Sequence, residues 1–381
     1  MSTQNGPHVV IREGSLQTID SILSQIGAER IFFVMDKPAY EGSGAATVLE
    51  PVLSSRQVAV FDQFELNPKI EDVERGKQAF TALQPQAVLA LGGGSALDMA
   101  KLIAACSVQD GPALEYAIGK KPLAHPHPPI IAVPTTSGTG SEATHFAVVY
   151  AEGKKYSLAH ERLLPDYVII DPLLTHSLPA GPTANSGLDA LSQAIESLWA
   201  RGATEESMAW STEALQLVLD NLITAVTRPD DASRLNMAKA AHLAGKAINV
   251  TKTTAPHAVS YGITTHFGVP HGSAVGLTLG AFLLFNAGVD EQSCTDPRGI
   301  DEVRRRLALI LNPLGNGSLT TARERLTTII SECKCPARLS EVGVTETDLP
   351  FLADQVNVER LSNNPRTISR EQLIALLKSA L

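Results

Sequence analysis

Asp189, Gln193 and Glu196 stand four and then three residues apart in a stretch with helical spacing, so all three project from a similar face. Far downstream come His257, in Thr253-Thr254-Ala255-Pro256-His257-Ala258, and His271, in Gly268-Val269-Pro270-His271-Gly272. One carboxylate and two imidazoles, with the amide oxygen of Gln193 as an optional fourth donor, make a nitrogen/oxygen site suited to Fe(II), Zn(II), Mn(II) or Co(II). Such a site leaves room for a substrate oxygen. Spacing alone does not establish it, because a single histidine in a helical region is more often a satisfied polar residue than a ligand.

A second chemistry is written in Leu91-Gly92-Gly93-Gly94-Ser95-Ala96-Leu97-Asp98, which sets three glycines where a buried strand ends and a helix begins. Without Cβ atoms the backbone N–H groups of that turn can approach an anion closely, and the helix N-terminus adds partial positive charge. A pyrophosphate is the natural occupant; a plain tight turn is the bland alternative. The spacing is neither GxGxxG nor a Walker loop. After the next core strand comes Pro134-Thr135-Thr136-Ser137-Gly138-Thr139-Gly140-Ser141, whose hydroxyls suit ribose, phosphate or a carboxamide, or else cap a helix. Asp36, at the end of Phe33-Val34-Met35-Asp36, stands where a carboxylate accepts hydrogen bonds from an adenosine ribose. Its charge would repel a 2′-phosphate and so favours NAD over NADP, unless it is only a turn residue.

These residues need a scaffold, and the first half supplies one. Short apolar runs at His8–Ile11, Ile31–Met35, Val58–Phe61, Ala87–Leu91 and Ile130–Val133 alternate with helix-like stretches around Leu16–Ile26, Ile70–Leu83 and Ser95–Cys106, which implies a parallel sheet with crossover helices. Further extended runs follow at Phe146–Tyr150 and Tyr167–Ile170. From about Thr183 the strand pattern stops, and helical periodicity takes over at Asp189–Trp199, Ser207–Val226, Asp231–Ala247 and Ser273–Phe285. The boundary falls near Pro179-Ala180-Gly181-Pro182. An α/β nucleotide-type domain joined to an all-helical one leaves a cleft suited to a small molecule.

The 381 residues leave room for two domains, and 31 basic against 40 acidic residues give a net charge of −9. With no Lys/Arg block, such a surface repels a phosphate backbone, so nucleic acid is not expected as a partner. Cys106, Cys294, Cys333 and Cys335 have no framework or zinc-knuckle spacing and read as reduced thiols of a cytoplasmic protein. The first residues show no signal peptide, and the uncharged stretch Ala274–Val289 is shorter than the roughly 20 residues a bilayer demands, so no membrane association is expected.

Gly92-Gly93-Gly94-Ser95 through Asp98 and Ala100-Lys101, Pro134-Thr135-Thr136 through Ser141-Glu142, Leu164-Pro165-Asp166 with Asp171-Pro172, Gly187-Leu188-Asp189-Ala190, and Pro270-His271-Gly272 together resemble the iron-containing (group III) alcohol dehydrogenase family. The resemblance runs from Asn67-Pro68 to Asn364-Pro365-Arg366. It implies a dehydroquinate synthase-like fold: an α/β dinucleotide-binding domain with a parallel sheet over residues 1–180, and an all-α metal- and substrate-binding domain over 181–381. By position, Gly92, Gly93, Gly94 and Ser95 would hold the pyrophosphate, and Thr135, Thr136, Thr139 and Lys155 would contact the cofactor. Asp98 would line the substrate and nicotinamide region. Asp189, His257 and His271 would bind one divalent metal, Fe(II) or Zn(II). A homodimer is the assembly the resemblance suggests.

Two positions depart from the family pattern. The histidine expected four residues after the helix aspartate is Gln193, and the one expected four residues after the first downstream ligand is Tyr261. Relatives such as glycerol dehydrogenase and dehydroquinate synthase manage with three protein ligands. The runs Asp189–Ser197, Lys252–Ala258 and Asp296-Pro297-Arg298-Gly299 are similar to the phosphonoacetaldehyde reductases, which form 2-hydroxyethylphosphonate. That substrate is a dianion, for which Lys252 and then Arg298 are the candidate anchors, and water, a ribose hydroxyl, Tyr261 or His266 could pass a proton to the alkoxide. The alternatives are reduction of a small neutral aldehyde, an NAD- and metal-dependent lyase of the dehydroquinate synthase type, and a catalytically silent binding protein.

Overall fold

A run of apolar residues buried on both faces needs no polar alternation to form a strand, and parallel strands need helices to carry the chain back. The computed structural model describes residues 6–356 and 358–381, in two compact units, Met1–Leu178 and Pro179–Leu381. The first contains β1 (His8–Ile11), β2 (Arg30–Met35), β3 (Gln57–Phe61), β4 (Ala87–Gly92), β5 (Ile130–Pro134), β6 (Phe146–Ala151), β7 (Lys154–Ala159) and β8 (Tyr167–Ile170). Its helices are α1 (Ile19–Gln25), α2 (Lys37–Gly42), α3 (Ala45–Leu53), α4 (Ile70–Leu83), α5 (Gly94–Ser107) and α6 (Ala113–Ala117).

Six strands form one parallel sheet in the order β1-β8-β5-β4-β2-β3. Alternate residues feed two apolar layers: Phe32, Val34, Val88, Ala90 and Ala132 on one face, and Ile31, Phe33, Leu89, Leu91 and Ile131 on the other. From β2 the chain crosses outward to β3, whereas from β4 it crosses the opposite way to β5. The carboxyl ends of β2 and β4 are therefore a topological switch point, where open parallel sheets bind ligands. Asp36 and the triple glycine both lie there.

The run at Phe146–Tyr150 does not join this sheet. It pairs antiparallel with β7 through Glu152-Gly153, both at positive φ (51° and 72°), as a type I′ hairpin turn requires.

The second unit is helical: α7 (Ala180–Trp199), α8 (Glu205–Thr227), α9 (Asp231–Thr251), α10 (Ala255–Phe267), α11 (His271–Ala287), α12 (Ile300–Gly315) and α13 (Leu319–Glu332) carry most of it. Thr204 with Ser207, and Asp230 with Ser233, form capping boxes that start α8 and α9. The helix carrying Asp189 begins at Ala180, well before its periodic stretch. Pro182 is tolerated because it falls in the first turn. Among the described residues no helix is long and apolar enough to cross a membrane.

Candidate metal centre and cofactor-binding loops

Asp189 lies midway along α7, His257 in the first turn of α10 after the helix-compatible Pro256, and His271 opens α11. One ligand atom from each lies within 4.8 Å of the others. Nε2 of His257 is 3.2 Å from Oδ1 of Asp189, and the two imidazoles meet edge to face, with centroids 5.3 Å apart. Asp189 and His257 are buried. Burial alone would raise the Asp189 pKa, but hydrogen bonds from His257 and Gln193 and the charge of the two histidines outweigh it and hold the carboxyl below its usual range. For His257, burial lowers the pKa, yet Glu196 and Asp189 outweigh it and raise it to about 10. The cluster thus carries an excess of buried negative charge, which a divalent cation would neutralise, and its donors are the nitrogen/oxygen set such a cation takes.

Gln193 is buried, and its amide donates to the Asp189 carboxylate. Tyr261, one turn after His257 on α10, stacks on His271 with centroids 5.9 Å apart and planes 12° apart. His266 does not join them. It follows His257 by nine residues, about 180° around the helix at 3.6 residues per turn, and is exposed with its ring edge-on to Phe351 at 4.7 Å. The expectation that His266 passes a proton is corrected on that ground.

Lys252 ends α9 two residues before the N-cap of α10, exposed, with φ 60° and ψ 174°. Arg298 does not offer a guanidinium to a substrate. Its Nε and Nη2 donate to Asp296 and its Nη1 and Nη2 to the carbonyls of Ala203 and Arg201. Arg306 reaches the same carboxylate, so Arg298 belongs to a loop clamp, and its anchoring role is corrected.

In the first unit the glycine turn does more than permit a sharp bend. Gly92 has φ 148°, and a Cβ there would lie 2.7 Å from that of Ala96 and 2.8 Å from that of Asp36. A Cβ on Gly94 would stand 2.7 Å from Cγ2 of Thr139, so the second loop packs directly on the first. Ser95 Oγ accepts from Asn67 N at 3.2 Å, while Thr135 N donates to the Gly92 carbonyl at 3.0 Å. Gly92, Gly93, Gly94, Ser95, Thr135, Thr136 and Thr139 are thus brought together at the switch point. Asp36 is the N-cap of α2, its Oδ1 accepting from Ala39 N at 3.3 Å. The turn role set against ribose binding is therefore present in the structure.

Asp98 accepts from Ser141 Oγ and, at 2.9 Å, from Val148 N; burial raises its pKa against the opposing effects of Lys101, of these two hydrogen bonds and, last, of Lys155 on β7. Each oxygen accepts one of these bonds, so Asp98 braces the second loop against the hairpin. Lys101, one turn on, was absent from the expected site. Its fully buried ammonium reaches the carbonyls of Ser141, Thr144 and Phe146 and the hydroxyls of Ser141 and Thr144.

The family model for iron-containing alcohol dehydrogenases matches residues 6–172, and that for the C-terminal region of the Fe-containing alcohol dehydrogenase family matches residues 183–381. The chain belongs to the iron-containing alcohol dehydrogenase family. It is 37% identical to the phosphonoacetaldehyde reductase of Streptomyces viridochromogenes over 78% of this chain and 76% of that one. To the 1,3-propanediol dehydrogenase of Klebsiella pneumoniae it is 32% identical, over 85% and 83%. The crystal structure of sulfoacetaldehyde reductase from Bifidobacterium kashiwanohense in complex with NAD+ superposes with a TM-score of 0.87 at 29% identity, covering 100% of this chain and 98% of that one. As an iron-type alcohol dehydrogenase the protein is a metal-dependent, NAD(P)-linked enzyme that interconverts alcohols and aldehydes.

Proposed function

We propose that the enzyme reduces an acetaldehyde bearing an anionic head, phosphonoacetaldehyde to 2-hydroxyethylphosphonate, at the expense of NADH. The observation that carries this reading is the 37% identity to a phosphonoacetaldehyde reductase. The likeness to a sulfoacetaldehyde reductase supports the same substrate shape: a two-carbon aldehyde with a tetrahedral oxyanion.

In this reading Asp189, His257 and His271 hold one Fe(II) or Zn(II), and the Gln193 amide N–H orients Asp189 while its oxygen is the optional fourth donor. The loops around Gly92–Ser95 and Thr135–Thr139, with Lys155, hold the dinucleotide, and Asp36 at the end of β2 disfavours a 2′-phosphate. Bound in these places, the metal supplies Lewis-acid polarisation of the carbonyl and the nicotinamide supplies the hydride. Lys252 draws the anionic head against the net charge of the chain. Tyr261, stacked on His271, holds a phenolic proton beside the cluster and can deliver it to the product oxygen. The aldehyde gains one hydride and one proton, and NADH leaves as NAD+. Homodimerisation and a cytoplasmic location belong to the same reading, testable by light scattering and cell fractionation.

The test is an oxidation assay with NADH and NADPH over phosphonoacetaldehyde, acetaldehyde and propanal, on protein of measured metal content. The expected result is a kcat/KM for phosphonoacetaldehyde with NADH at least tenfold above the others. Equal turnover of propanal would move the assignment to a small neutral aldehyde, the reading that the propanediol dehydrogenase relative favours.

A further inference from the structure

Glu196 follows Asp189 by seven residues, two turns along the same face of α7. Its carboxylate is fully buried, and His257 lies between the two acids. Nδ1 of His257 hydrogen-bonds Oε1 of Glu196, while Nε2 faces Asp189. The other oxygen, Oε2, accepts from Thr254 N at 2.6 Å and Thr254 Oγ1 at 2.7 Å. Thr254 Oγ1 in turn accepts from Nε1 of Trp199 at 2.8 Å. Thr254 and Trp199 are also fully buried, so a closed chain of hydrogen bonds runs from Trp199 through Thr254 and Glu196 to His257.

We propose that Glu196 is the positioning residue of the metal centre, holding His257 in the tautomer that carries its proton on Nδ1 and turns the Nε2 lone pair toward Asp189 and His271. The inference rests on the reading of Asp189, His257 and His271 as metal ligands. A neutral imidazole offers one lone pair, and the hydrogen bond made by the other nitrogen decides which. A carboxylate can only accept, so it selects Nδ1–H. Two donors from Thr254 hold the second oxygen, which stops the carboxylate from rotating away. Carboxylates placed in this way also make the imidazole a stronger donor, and their loss costs ligand affinity of 10- to 100-fold.

A merely structural role is the competing account, since Glu196 also fixes Thr254, the N-cap of α10. Two variants separate them. Glu196→Gln keeps the shape, but its amide must present N–H either to Nδ1, which reverses the tautomer, or to the Thr254 N–H. Thr254→Ala removes one donor to the second oxygen and leaves the His257 contact. Titration with Zn(II) against a competing chelator should show 10- to 100-fold weaker binding in Glu196→Gln and less than about 3-fold in Thr254→Ala. NADH binding should stay within about twofold in both. Unchanged Zn(II) affinity in folded Glu196→Gln would overturn the role.

Should that variant fail to fold, the zinc-loaded wild type decides by 15N-histidine spectra, with the resonance assigned by its loss in His257→Gln. A protonated Nδ1 and a metal-shifted Nε2 are expected, and a protonated Nε2 would overturn the inference. Failure of the underlying site looks different: Asp189→Asn and His271→Ala would then bind Zn(II) as tightly as wild type.

Discussion

Gly272 packs against the main chain of α7 at Asn185. A Cβ on residue 272 would stand 2.9 Å from Asp189 N and closer still to the Asn185 carbonyl oxygen, and Oδ1 of Asn185 accepts from Ser273 N at 2.9 Å. The helix carrying His271 is thereby seated against the turn that carries Asp189, with no room between them.

Gly272→Ala must push the start of α11 off α7. A loss of stability of about 1–3 kcal/mol follows from forced overpacking, and the weakened seat of His271 should lower Zn(II) affinity. Thermal unfolding and metal titration check both, and an unchanged affinity would show that His271 reaches the cluster without this contact.

Lys252 adopts φ 60° and ψ 174°, a conformation that is essentially confined to glycine and costs about 1–3 kcal/mol in other residues. Lys252→Gly separates the strain from the charge. The variant should match or exceed wild-type stability, while KM for phosphonoacetaldehyde rises at least tenfold and KM for propanal stays within twofold. A parallel rise for both substrates would remove the anion-binding role.

Lys101 supports the loop that follows β5 through its three carbonyl and two hydroxyl contacts. Lys101→Met leaves these acceptors without their donor, and a loss of about 3 kcal/mol or more, with weaker NADH binding, is expected. Burial lowers the Lys101 pKa from its ordinary 10.5 to about 8. Between those values the unfolded chain binds the proton that the folded chain gives up, so wild type should gain stability relative to the variant as pH rises through that window. Denaturant unfolding at pH 7.5 and 10 measures the difference.

The parallel strands were legible because both-side burial writes Val, Ile, Leu and Ala in unbroken runs such as Ala87–Leu91. Strand β7, Lys154-Lys155-Tyr156-Ser157-Leu158-Ala159, was not, since its lysines read as surface. The first turns of α7 were hidden by Gly181, Pro182 and Gly187, which local propensity disfavours. Gly187 is set by packing, as a Cβ there would collide with Leu222. At the site, the spacings of Asp189 and of the two histidines were readable, and so was the period that puts His266 on the far side of its helix from His257. The turn role of Asp36 was one of its two readings, whereas what Arg298 and Lys101 bond to depends largely on partners distant in sequence, which periodicity does not carry.

The thiols provide a check on the core. Burial pushes Cys106 and Cys333 up to about 12, leaving about one thiolate in ten thousand at pH 8. Iodoacetamide on the folded protein should label Cys294 and Cys335 first, as read by mass spectrometry of peptides. Early labelling of Cys106 would mean that the layer between α5 and the sheet opens.

The central claim is that Asp189, His257 and His271 hold the one metal on which aldehyde reduction depends. Metal content, NADH binding and aldehyde turnover of His271→Ala beside wild type test it most directly. The account predicts close to one Fe(II) or Zn(II) per wild-type chain, loss of both metal and turnover in the variant, and an unchanged dissociation constant for NADH. Full turnover by a metal-free His271→Ala protein would contradict it.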